Sequence, residues 1–153
     1  MAHVLDRRSF LRAAILTLAV ARTAWAAGPD DDEPIEAVKK VLHDKFGDRP
    51  LVKGHVQFDI PEDAPDGRAV PLFIETDLPE TADRYVKAFH LIVDHNPDIY
   101  VAGYHFAPGL SAASIDTRIK MRRTSYVRAI VETNTGELFV SAKKVFVSLN
   151  GCG

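Results

Sequence analysis

The sharpest chemistry in this sequence belongs to its single cysteine, Cys152, which stands between Gly151 and Gly153 and follows Asn150. A thiolate is a strong nucleophile and can form persulfide or mixed-disulfide species. Glycine on either side removes side-chain bulk and admits unusual backbone angles. Residues 150–153 therefore read as a short arm that could carry the thiol into another protein's pocket. One cysteine cannot close an internal disulfide, and in an oxidising compartment an odd cysteine implies intermolecular pairing or a reactive thiol. No basic side chain adjoins Cys152, so a partner's cationic pocket would have to form the reactive species. That describes a carrier better than a cysteine hydrolase.

The other candidate groups are weaker. Arg118, Lys120, Arg122 and Arg123 form a basic cluster, which reads either as a solvated strand face or as a contact for acidic partners or anionic cargo. The histidines at 43, 55, 90, 95 and 105 fall into no HExxH or HxH spacing, and no second cysteine exists for a thiolate zinc site. His90 and His95 flank Asp94 and read as a surface pair near the Asn96-Pro97 turn, and His105 reads as a sheet residue with its bonds satisfied. Asp63, Asp66, Glu75 and Asp77 read as loop and edge carboxylates with no convincing acid–base pair among them. GxxxxGK[ST], GxGxxG and GxSxG are all missing, so nucleotide binding and serine-hydrolase chemistry have no support. The expectation is a protein with no metal and no cofactor, and not an enzyme.

The elements that must position the arm are mostly strands. Apolar residues at 35, 38, 41, 42 and 46 fit one amphipathic helix that Gly47 stops. Beyond it, short β-rich runs cover 52–60, 70–75, 89–94, 99–106, 114–121, 125–132 and 137–149. Turn signals such as Pro65-Asp66-Gly67, Pro108-Gly109 and Asn134-Thr135-Gly136 separate them. About seven strands after one helix predict an all-β domain, a β-sandwich over 35–149. A flexible acidic start over 27–34 precedes it.

Residues 1–26 read as an export signal. A short basic stretch leads into the apolar run 13–21, and Ala24-Trp25-Ala26 has the small-x-small pattern of a cleavage site. Arg7-Arg8 followed by Ser9-Phe10-Leu11 resembles the twin-arginine pattern, with Asp6 where Ser or Thr is usual. Cleavage after Ala26 would leave 15 lysines and arginines against 20 aspartates and glutamates, a net charge of −5. An acidic mature chain argues against nucleic-acid binding. No other apolar run approaches the roughly 20 residues that stable membrane insertion needs.

Taken in order, Gly54-His55-Val56, Pro61, Asp66-Gly67, Val70-Pro71, Tyr85-Val86-Lys87, Asn96-Pro97, Thr117-Arg118-Ile119, Gly136 and Gly151-Cys152-Gly153 resemble the SoxY family. These are the sulfur-carrier subunits of the bacterial thiosulfate-oxidising system. The resemblance spans roughly residues 35–153. It implies an immunoglobulin-like β-sandwich and a heterodimer with a SoxZ-like companion subunit. It also implies a periplasmic address and covalent attachment of thiosulfate-derived intermediates to Cys152. Periplasmic c-type haem and manganese-dependent enzymes would then act on the cargo. Asn150 departs from the Gly-Gly-Cys-Gly ending usual in the family, which adds bulk at the base of the arm. The rival reading is a non-catalytic periplasmic β-sandwich adaptor or chaperone-like binding module in which the thiol is dispensable.

Overall fold

The computed structural model describes residues 32–81, 83–109 and 113–149. The leader (1–26), most of the acidic start and the whole arm (150–153) lie outside the described residues. Helix α1, Glu36–Phe46, turns Val38 and Phe46 inward, with Val41 and Leu42 half-buried between them. Gly47 closes it at a φ of 64°, where its N–H reaches the carbonyl of His43 at 2.8 Å. A side chain is strained in that left-handed region and glycine is not.

Nine strands follow among the described residues. They are β1 (Leu51–Lys53), β2 (Gln57–Asp59), β3 (Asp63–Asp66), β4 (Val70–Glu75), β5 (Val86–Val93), β6 (Tyr100–His105), β7 (Ser114–Ile119), β8 (Ser125–Thr133) and β9 (Leu138–Leu149). One sheet runs β1-β9-β8-β5-β6, with β3 also pairing on β9, and the second runs β2-β4-β7. The 52–60 run therefore holds two strands in different sheets. The chain crosses between them at Gly54 and His55, both at positive φ (124° and 57°). Asp63–Asp66 is a strand that the residue pattern does not suggest.

The two sheets share one core. Phe89 and Leu91 of β5, Val127 and Val131 of β8, and Val145 of β9 meet Phe58, Val70, Leu72, Ile74 and Ile119 from the smaller sheet. Each such side chain, once buried, contributes about 1.5–3 kcal/mol. The opposite face of the larger sheet is covered by α1, where Val38 and Phe46 pack with Ile92, Ile130 and Leu138. Strands β5 and β8 are thus buried on both faces, which is why they read as nearly unbroken apolar runs. Among the described residues, no helix is long and apolar enough to cross a membrane.

Candidate functional site

Strand β9 is the element that delivers the chain to residue 150. It pairs antiparallel with β8 from Leu138 to Val145. Beyond that point β3 runs parallel beside it, with Asp63 opposite Phe146, Ala64 opposite Val147 and Asp66 opposite Leu149. The Phe146 N–H donates to the Glu62 carbonyl at 2.7 Å, and the Val147 N–H donates to Thr124 Oγ1 at 3.0 Å. The strand is therefore held from both sides almost to its last residue. Cys152 itself, with Asn150, Gly151 and Gly153, lies outside the described residues.

Thr124 also draws the basic cluster to this end of the fold. Arg118 lies on β7 opposite Pro71, and Lys120, Arg122 and Arg123 lie on the connection from β7 to β8. All four are exposed. The connection is clamped by Asn96, whose side-chain amide donates to the Lys120 carbonyl at 2.7 Å and accepts from the Arg122 N–H at 2.9 Å. The Met121 N–H donates to the Gly67 carbonyl at 2.7 Å, just past β3. Residues distant in the sequence are thus gathered where β9 ends. Phe146, 44% exposed, and Lys144, whose Nζ stands 5.5 Å from the Phe146 ring centroid, complete this surface. Neither residue belongs to the basic cluster expected from the sequence, although Lys143-Lys144 stands on the same strand that leads to residue 150.

The histidines are placed differently from expectation. His90 is buried, not on the surface. It sits under α1 with Phe46 edge-on at 5.0 Å, while His95 bonds to Ser125 instead. An irregularity in the pairing of β5 with β6 explains part of this: Leu91 faces Ala102 but Ile92 faces Tyr100. The extra residue, Val101, puts Tyr100 on the same face as His90, an effect typical of a β-bulge. Burial holds His90 below the usual histidine range and so keeps it neutral. Its Nε2–H then donates to Glu132 at 3.1 Å, and its Nδ1 accepts from the Tyr100 hydroxyl at 2.9 Å. Burial pushes Glu132 up, but Arg49, Lys87 and His90 donate to it and together hold it down at about 2. Burial also raises Tyr100 above its usual value. At the other end of the helix-covered face Arg128 forks onto Asp94 at 2.8 and 2.7 Å, both side chains nearly inaccessible.

These networks fasten α1 and β6 to the sheet. His105 is exposed, with its ring 6.2 Å from His90. Asp66 pairs with Arg68, and Asp77 pairs with His55 at 2.7 Å. Among the described residues, no group of three or more His, Cys, Asp or Glu is placed to hold a metal ion.

Comparison with known proteins follows the same lines. Residues 42–152 match the model of the family described as sulfur oxidation protein SoxY. No curated protein sequence matches the chain. The sulfur carrier protein SoxY from Chlorobium limicola f thiosulfatophilum superposes with a TM-score of 0.61 at 22% identity, over 72% of this chain and 90% of that one. A putative superoxide reductase from Thermotoga maritima gives 0.51 at 20% identity over 64% of this chain and 87% of that one. A superoxide reductase from Nanoarchaeum equitans gives 0.51 at 13% over 63% and 100%. At these identities the structural likenesses show a shared β fold. The family match covers most of the chain and runs through Cys152, and this chain belongs to the SoxY family of sulfur carriers.

Proposed function

We propose that this protein is a periplasmic carrier that holds thiosulfate-derived sulfur on Cys152 and presents it to oxidising enzymes. The observation that carries the reading is the position of Cys152. It stands between two glycines, three residues beyond the last residue of β9, inside the region that matches the family. Leu149, where the described chain ends, is anchored beside Asp66 of β3.

The chemistry balances as two steps. Loading joins the Cys152 thiolate to the sulfane sulfur of thiosulfate, forming a sulfur–sulfur bond and giving two electrons to a c-type haem enzyme. Hydrolysis by a manganese-dependent enzyme then adds water across the sulfur–sulfonate bond. It releases sulfate and two protons and leaves a persulfide anion on Cys152. The carrier supplies the nucleophile and the tether, and both cofactors belong to its partners. In this reading a SoxZ-like subunit forms the stable companion, the twin-arginine leader provides export, and the two-sheet frame is an immunoglobulin-like sandwich. Arg118, Lys120, Arg122 and Arg123 serve contacts with partners or anionic cargo.

Cys152→Ser tests the proposal. The change hardly alters side-chain size, so stability should stay within about 0.5 kcal/mol of the parent, as for surface positions. Intact mass after incubation with thiosulfate and the loading enzyme should show a removable sulfur adduct on the parent and none on the variant. Sulfate production in the reconstituted system should vanish. Full turnover by the serine variant would instead make the thiol dispensable and the protein an adaptor.

A further inference from the structure

The cations of this protein are sorted by position. Among the described residues, Lys39, Lys40, Arg49, Lys53, Arg68, Arg84, Lys87 and Arg128 each hold a carboxylate. Lys45 lies 4.2 Å from the Tyr100 ring centroid, and Lys143 lies 6.0 Å from that of Phe58. Arg118, Lys120, Arg122 and Arg123 have no described carboxylate within ion-pair distance, and Lys144 meets only the rings of Tyr126 and Phe146. An acidic chain would be expected to neutralise such charges, yet among the described residues no carboxylate does so. Arg118 lies on β7, Lys120, Arg122 and Arg123 lie on the β7–β8 connection, and Lys144 lies in the second half of β9. At the start of β3, exposed Glu62 and Asp63 stand beside Phe146.

Covalent geometry makes this surface unavoidable for a partner. The Cα of Cys152 is three residues past Leu149, a reach of at most about 11 Å. An interface of ordinary size buries about 800 Å² per partner, a patch roughly 16 Å in radius. Any protein that takes Cys152 into a recessed centre must therefore press on the residues around the end of β9.

We infer that Lys120, Arg122, Arg123 and Lys144, with Phe146 as an apolar anchor, form a cationic collar. It docks proteins whose entrance is rimmed by carboxylates. This inference rests on the carrier reading and adds to it the chemistry of the partner's rim. Exposed aromatic and arginine side chains together are what interface centres favour. Opposite charges across the contact speed encounter. The Asn96 clamp keeps the connection in one shape and so limits the ordering that docking requires.

The test is steady-state loading of thiosulfate onto the full mature protein with its companion, using the c-type haem enzyme of the same organism. The parent is compared with the triple variant Lys120→Ala, Arg122→Ala, Arg123→Ala and with Phe146→Ser. For the triple variant kcat/KM for the carrier should fall about tenfold at low salt. Its dependence on ionic strength should flatten, while the rate of Cys152 with a neutral disulfide reagent stays unchanged. Phe146→Ser should raise KM for the carrier and leave the salt dependence steep. Unchanged KM and salt dependence in the triple variant would overturn the collar. So would a rise in KM for thiosulfate alone, because the cations would then hold the cargo and not the partner. Turnover that survives Cys152→Ser would instead sink the carrier reading, a separate outcome of the same assay.

Discussion

Glu132→Gln offers a stringent test of how the helix layer is held. Glu132 accepts from Arg49 Nη1 at 3.0 Å, Lys87 Nζ at 3.1 Å and His90 Nε2 at 3.1 Å, with only 8% of its own side chain exposed. Glutamine keeps the shape but turns one acceptor oxygen into a donor that faces other donors. The carboxyl is held at about 2 against an ordinary 4.5. At about 1.4 kcal/mol per pH unit that gap corresponds to roughly 3 kcal/mol. The Arg49 and Lys87 side chains are 36% and 51% exposed, and screening of those two bonds brings the expected loss to about 2 kcal/mol. For a domain of this size that is a fall in Tm of roughly 6–10 °C.

The pH dependence gives the mechanism away. A carboxylate held below its unfolded value stabilises fully above that value, and the contribution drains as pH falls from about 4.5 toward about 2. Urea denaturation at constant ionic strength, repeated from near neutral pH down to about pH 2.5, should therefore show the two proteins converging in acid. A difference that persists undiminished at about pH 2.5 would refute the electrostatic account and leave only packing. Equal stability near neutral pH would refute the network's role altogether.

Other expectations follow from the same layer. Arg128→Ala leaves Asp94 buried without its fork and should cost about 3–5 kcal/mol, read as a lower denaturation midpoint. Gly103→Ala places a Cβ against the Tyr100 hydroxyl. It should displace that ring from His90 at a cost of about 1–2 kcal/mol, visible as altered tyrosine fluorescence together with a lower Tm. Thiosulfate-dependent activity should survive both changes once the protein is folded, because neither residue touches the end of β9.

The glycine-flanked thiol is a reading of residue type and spacing alone: Cys152 lies outside the described residues, within the stretch that matches the family. The helix and most strands were legible because α1 faces water on one side and because turn residues punctuate the rest. Strand β3 escaped because Asp, Ala, Pro and Asp have no strand preference and pair only because β9 is long enough to reach them. The 52–60 run concealed a sheet crossing, since nothing in its alternation marks His55 as left-handed. His90 looked like a surface residue because its partners, Tyr100 and Glu132, lie 10 and 42 positions away, and because Val101's bulge is a property of pairing. The basic cluster was readable as a cluster. Its gathering at the exit depends on Thr124, Met121 and Asn96 reaching across the fold, which spacing along the chain does not encode.

The length of β9 has a mechanical consequence. In the carrier reading, a partner's centre that holds sulfur bonded to Cys152 would, through the Brownian motion of the two proteins, pull on the link and pass tension into Leu149. That force runs along the strand, whereas the bonds from β9 to β8 lie across it. The stretch Leu138–Val145 that pairs with β8 is therefore loaded in shear, many bonds at once, instead of being unzipped one after another. The sandwich can be tugged by its cargo throughout a catalytic cycle without fraying at the point where it is held.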